Sequence, residues 1–324
     1  MIKKLLFISS LFIIVISPFL GEITLNLNEL FDPSTITYKV FWELRVSRVF
    51  LALLVGGVLA LSGLIFQIIF KNALITPYTL GIASGTTLFT AISIVFIPSI
   101  ILPVSSSFGS LITIIILYYI SKRINNNSIA VSTNSILLIG IALSYFYSSA
   151  LMLVFYLSDL EQNYSIVRFT LGSLDTVGFS SSFWVLIASL IMYFTIYVNR
   201  ANIKLLLISN DTAFLKGLNV HKLNLTLLVV ISLCVGICIS FVGPIGFIGL
   251  VVPHIIKLIY KQSADKLIFP VFFYGGVFLV VSDLIARNLN TASTLPIGVV
   301  TAFIGAPFFV YLLIKRNKKA NEGN

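Results

Sequence analysis

Few side chains in this 324-residue sequence could do chemistry. Cys234 and Cys238 are four residues apart, which on a helix puts two thiols on one face, a spacing a soft metal could use. No third ligand lies nearby, and both sit inside an apolar run, where small buried cysteines are the commoner occupants. The two histidines, His221 and His254, fall in no H-E-x-x-H pattern. There is no G-x-x-x-x-G-K-[ST] stretch, so the chain is not expected to hydrolyse a nucleotide by the P-loop route. Asp283 is the one acidic candidate within an apolar run, and it lies near the outer end. Ion-coupled transporters hold carboxylates or histidines at membrane depth; none is visible here. No catalytic group, metal site or cofactor bound by this chain is expected.

The elements that must carry these residues are set by composition. Hydrophobic residues make up 58% of the chain and charged ones only 10%, with a mean hydropathy of +1.07. A soluble domain carries roughly 25% charged residues, so lipid must cover most of this surface. Apolar runs fall at 5–21, 48–70, 79–97, 101–120, 135–157, 182–199, 223–242, 245–260, 267–286 and 296–314. A helical span takes about 20 residues. The expected fold is therefore all-α: one polytopic membrane domain over 1–324 with about ten spans, the short eighth run suiting a half-helix. The first run, behind Lys3 and Lys4, lacks a clean cleavage site and reads as a retained span rather than a signal peptide. The net charge of +10 resides in short loops, which points to orientation and away from nucleic acid. With both termini inside, sixteen of the 21 lysines and arginines are cytoplasmic and five are outside. That bias predicts cytoplasmic termini in a bacterial plasma membrane.

Three segments do not read as spans. Residues 22–47 form an outer loop, and 158–181 are semi-polar, suiting a short helix at the outer surface. Residues 200–222 form the longest inner loop, helical around 211–216, with Asn210 or Asp211 able to cap its start and Gly217 able to end it. A faint repeat is also present. Val55-Gly56 with Gly63 recurs as Val235-Gly236 with Gly243. The second span would run inward and the seventh outward, an inverted relation used by many transporters; glycines for close packing are the alternative.

Four blocks carry more specific information: residues 44–56 (LRVSRVFLALLVG), 67–85 (QIIFKNALITPYTLGIASG), 243–254 (GPIGFIGLVVPH) and 295–307 (LPIGVVTAFIGAP). In order and spacing, across nearly the whole chain, they resemble the iron-complex and cobalamin permeases of bacterial ATP-binding-cassette importers. The resemblance implies a membrane permease that makes no covalent change in its cargo and hydrolyses no ATP itself. It implies as partners a second permease subunit (identical or sibling), two cytoplasmic ATPase subunits and an extracytoplasmic substrate-binding protein. Ferric siderophores are the commonest cargo of that family, with cobalamin and haem as alternatives. A secondary transporter or channel, the reading from another class, would need an ionisable site within the membrane.

The resemblance also suggests roles. Arg45, Arg48 and Arg287 match positions that meet glutamates of the binding protein, a task suited to the planar guanidinium fork; snorkelling, or pairing with Glu43 or Asp283, is the alternative. Residues 211–217 resemble the ATPase-coupling motif through Asp211, Ala213 and Gly217, with Thr212 departing from the usual alanine. Thr133 and Asn134 match an inner gate, or else a plain helix cap. Gly81 and Gly85 form a small-x-x-x-small surface. Gly243, Pro244, Gly246, Gly249 and Pro253, together with Pro296 and Gly298, suggest broken or tightly packed backbone. Such backbone survives at membrane depth only inside protein or along a watery cavity. Tyr145 to Ser149 could line a pathway or pack against neighbours.

Overall fold

The computed structural model describes residues 2–21, 26–98, 101–124, 133–208, 210–289 and 295–321. Ten apolar helices form, one for each apolar run. They are α1 (Ile2–Ile16), α2 (Ile36–Ile69), α3 (Ile82–Phe96), α4 (Leu102–Ile124) and α5 (Thr133–Leu157). A twelve-residue α6 (Leu160–Leu171) follows, then α7 (Ser180–Val198). Two short helices, α8 (Arg200–Ile208) and α9 (Asn210–Leu215), precede α10 (Val220–Val242). The chain then builds α11 (Ile248–Tyr260), α12 (Ala264–Asn288) and α13 (Ile297–Asn321). Among the described residues, six of these helices are long and apolar enough to cross a membrane. The eighth apolar run indeed gives only the thirteen-residue α11.

Burial sorts the spans. The most apolar window of α2 is 89% buried, whereas that of α5 is 22% buried. With Ser62 as the one polar side chain between Val49 and Phe66, α2 can be the central post against which the others pack, and α5 can leave a wide face for lipid or a partner. The exposed faces of α5 and α7 carry Tyr145, Phe146, Phe183 and Trp184. In water such faces would aggregate; in hydrocarbon they are the ordinary surface of a spanning helix.

Close packing is bought with glycine. A Cβ at Gly56 would lie 2.3 Å from the Gly275 carbonyl oxygen on α12, and one at Gly236 would lie 2.7 Å from Ser110 Oγ on α4. The Val-Gly repeat thus marks two equivalent crossings, α2 on α12 and α10 on α4. The equivalence extends further. Under the exchange of α2, α3, α4 and α5 for α10, α11, α12 and α13, the contacts α3–α4, α2–α11, α4–α5 and α3–α5 become α11–α12, α10–α3, α12–α13 and α11–α13, all of which are present. The second glycines part company: Gly63 abuts Gly249 of α11, while Gly243 faces the Phe169 carbonyl at the end of α6.

Local structure departs from the sequence expectation in three places. The outer loop over 22–47 is helical from Ile36, and α2 starts there with a π-helical stretch at Lys39–Val46. The inner loop over 200–222 contains two helices instead of one. The third span begins at Ile82 because Gly81, at φ +76°, takes the left-handed conformation before it. In the first case the apolar period continues upstream of Arg45, and a polar count alone does not reveal it.

Candidate functional site

The three outer arginines lie together. Arg45 leaves the π-helical start of α2 and donates from Nη1 to the carbonyl oxygens of Pro18 (3.2 Å) and Phe19 (3.4 Å). Arg287, in the last turn of α12, donates from Nη2 to the carbonyl and hydroxyl oxygens of Ser17 at 2.7 and 2.8 Å. Both therefore close the outer end of α1, where helix carbonyls lack internal partners. Arg48 bridges two carboxylates: Nε meets Asp283 Oδ1 at 2.7 Å, and Nη1 meets Asp175 Oδ1. Asp283 is fully buried, and its Oδ2 faces Arg287 Nε at 3.7 Å, too long for a hydrogen bond. The pairing with Asp283 that sequence allowed is thus present for Arg48 and Arg287. Glu43 gives its carbonyl to the Gly178 amide (2.8 Å).

Asp175 was not legible as a partner, because it belongs to the 172–178 linker, remote from the arginines in sequence. Arg168 Nη2 reaches its Oδ2 at 3.3 Å and Ser173 Oγ donates to it at 2.7 Å. Burial alone would raise the Asp175 carboxyl; Arg48, Ser173 and Arg168 outweigh it and hold the group below its ordinary value. A cleft of about 300 Å³ opens between these elements, lined by Arg45, Arg48, Arg287, Asp175 and neighbours from 21, 40–44 and 174–177. Among the described residues three arginines and one aspartate line the cleft, with Asp283 and Arg168 paired behind them, so the described lining carries a surplus of positive charge.

Below the cleft the glycine–proline blocks meet. The Ser173 amide bonds the Val242 carbonyl at 2.8 Å, and the Ile297 amide bonds the Gly172 carbonyl at 3.1 Å. A Cβ at Gly298 would stand 2.5 Å from the Leu171 carbonyl oxygen, and one at Gly243 would stand 2.1 Å from that of Phe169. Gly243, Pro244, Pro296 and Gly298 therefore form one junction with the end of α6. From it the backbone runs unwound through Gly246 to Phe247, whose φ of +66° is uncommon for a non-glycine residue. Gly305 of α13 leaves room for the Phe247 side chain. Gly249 then touches Gly63, which lies about 24 Å along α2 from Ser47 at 1.5 Å per residue. The irregular stretch ends at Phe247, which lines a small cavity with Leu59, about 18 Å along α2 from Ser47, so irregular backbone lies deep in the fold and enclosed in protein.

Pro253 shows why this works. Having no N–H, it leaves the Gly249 carbonyl without its helical partner. Gln67 Nε2 donates to that oxygen at 3.1 Å, and Lys257 Nζ donates to Gln67 Oε1 at 3.0 Å. Facing this region, the 76–81 linker packs Tyr78 within 4.0 Å of where a Gly246 Cβ would be, and Gly140 of α5 approaches the Thr79 carbonyl. Gly85 is packed by Thr113 and Tyr147, whose hydroxyl accepts from Thr113 Oγ1 at 3.1 Å.

On the inner side, Ala213 is fully buried in α9 and Gly217, at φ +77°, ends it in open space. The Asp211 side chain lies outside the described residues. Thr133 and Asn134 open α5, but their side chains also lie outside the described residues. Cys234 and Cys238 are buried free thiols, Cys234 donating to the Ala188 carbonyl at 3.2 Å. Among the described residues no His, Cys, Asp and Glu cluster could hold a metal ion.

A helical membrane protein with broken spans, a charged outer cleft and a short inner helical pair is built as a transport permease, with its backbone irregularities buried along the middle of the fold. Residues 8–315 match the FecCD transport family, and the chain belongs to that family. It is 32% identical over 276 residues to a probable iron chelatin transport system permease protein of Helicobacter pylori, covering 85% of this chain and 82% of that one. It is 29% identical over 320 residues to a vitamin B12 import system permease protein of Vibrio vulnificus, covering 97% and 92%. Among solved structures it superposes on a metal-chelate type ABC transporter in an inward-facing conformation with a TM-score of 0.83 at 26% identity, covering 97% of this chain and 99% of the other. The chain is thus the multi-pass, non-catalytic membrane component of an ABC importer.

Proposed function

We propose that this permease imports an iron(III)–siderophore complex handed to it by an extracytoplasmic binding protein. Two copies, or this chain and a sibling, would enclose the pathway, and two cytoplasmic ATPase subunits would power it. The observation that carries the reading is the junction of Gly172, Gly243–Pro244 and Pro296–Gly298, where the ordered sequence blocks converge into buried, irregular backbone beneath a cleft rich in arginine. Positive charge on an outer face runs against the usual bias, and suits an acidic partner surface. The short α9, anchored by the buried Ala213, exposed at Leu215 and followed by the left-handed Gly217, is a compact knob suited to an ATPase groove. Iron chelate is preferred as cargo because a relative is described as an iron chelatin permease and a structural neighbour as of metal-chelate type; cobalamin, named for another relative, and haem are the alternatives.

The test is uptake of radiolabelled iron–siderophore in iron-starved cells lacking this gene, with the gene restored by plasmid. Uptake should fall on deletion and return on restoration, and both should require a co-expressed ATPase. Loss of cobalamin or haem uptake instead would replace the cargo and keep the machine. Uptake independent of any ATPase would overturn the assignment of the energy source.

A further inference from the structure

We propose that Asp175 is an internal stand-in for a partner's carboxylate: it holds Arg48 until a docking acid takes its place, and its departure loosens the linker that pins the outer ends of three helices. This rests on the docking reading above and adds the regulation of that site.

The linker 172–178 is short, and its ties run in two directions. Toward the cleft, Asp175 meets Arg48 and Arg168, and the Gly178 amide donates to the Glu43 carbonyl at 2.8 Å. Toward the membrane, Ser173 bonds the end of α10 and Gly172 bonds the start of α13. The last carbonyls of α6 touch Gly243 and Gly298. A force on Asp175 is therefore felt within three residues by the backbone that closes the junction.

Arg48 is built for an exchange. Its Nε edge is committed to Asp283, whose side chain is inaccessible. Its Nη1 points to Asp175, whose side chain is 25% exposed and belongs to a loop. One guanidinium can hold two carboxylates by separate donors, so the outer one can be replaced while the inner one keeps the arginine aimed. The swap leaves Arg48 neutralised throughout, and the surplus of arginine attracts the incoming acid. Asp175, once released, can be solvated. Asp283 cannot play this part, because its removal from between Arg48 and Arg287 would strand buried charge.

The experiment is hydrogen–deuterium exchange on the full-length permease in lipid nanodiscs, comparing wild type, Asp175→Asn and Asp175→Glu. Asp175→Asn should speed exchange over 172–178 on the order of tenfold, the loss of one charge-assisted hydrogen bond, and should also speed 243–247 and 295–298. Residues 200–215 should be unchanged, and Asp175→Glu should stay close to wild type. No acceleration, or acceleration confined to 172–178, would overturn the transmission. A second arm adds a fluorescent tetraglutamate peptide, with tetraglutamine at equal ionic strength as control. Binding that speeds 172–178 in wild type but adds nothing in Asp175→Asn supports displacement. Binding without faster exchange overturns the latch and leaves docking standing; no binding overturns both.

Discussion

At the residue scale the decisive unit is a carboxylate held by arginines from different helices. Asp283 is buried, so its charge is tolerable only because Arg48 and Arg287 face it. Asp283→Ala should lower stability by about 3–5 kcal/mol, read as a lower Tm of the detergent-solubilised protein; Arg168→Gln, at an exposed pair, should cost under about 1 kcal/mol. Equal effects would mean that the cluster is not organised around Asp283. Asp175 yields a prediction in pH. Its carboxyl titrates below the ordinary aspartate value in the folded chain, so the tie to Arg48 is fully present above about pH 4. It is lost only as pH falls through the lowered folded value. Exchange over 172–178, corrected for intrinsic rate, should be flat from pH 8 to pH 5; loosening within that range would contradict the assignment. The i,i+4 spacing of Asp283 and Arg287 made their meeting readable from sequence, whereas nothing local announced Asp175.

At the element scale, two glycines beside the start of α11 have opposite tolerances. A Cβ at Gly63 would sit 1.8 Å from the Gly249 carbonyl oxygen, while one at Gly246 meets only Tyr78 at 4.0 Å. Gly63→Ala should therefore abolish or sharply reduce the folded yield, and Gly246→Ala should leave it near wild type, both measured by monodisperse protein on size-exclusion chromatography. The proline in α11 gives a sharper case. Gln67→Leu strands the Gly249 carbonyl and should cost about 1–3 kcal/mol. Pro253→Ala supplies the missing N–H, so the double variant should recover part of that loss in a double-mutant cycle; strictly additive effects would show that Gln67 does something else. At Gly217 no neighbour objects to a side chain, only the left-handed backbone does. Gly217→Asn should thus retain more ATPase-coupled uptake than Gly217→Val, because asparagine visits that conformation at lower cost.

At the scale of the whole molecule, a thoroughly buried α2 and its counterpart α10 form a centre, and the rest is arranged about them in two matched sets of helices. This explains how so apolar a chain can keep unwound backbone inside the membrane. Each broken segment meets the other half on one side: 243–249 packs on α2, with α6 and α13 closing the rest, and 76–81 packs on the 245–247 stretch, with α5 closing the rest. It also places the outer cleft directly above the junction, so that events at the surface have a short path into the fold.

The amino-acid sequence by itself determined the membrane environment, the number of apolar helices and the family. These follow from composition, run length and ordered glycine–proline blocks, all of which are properties of contiguous residues. It also flagged Arg45, Arg48 and Arg287 through charge on the side of the membrane where charge of that sign is scarce. Tertiary structure alone decided what those arginines face, why Gln67 matters, and that Gly172 joins blocks about 70 and about 125 residues away. The physical reason is the same in each case. An orphan carbonyl, an unpaired carboxylate or a missing Cβ creates a requirement in space, and the residue that meets it need only be near in the fold, not in the chain.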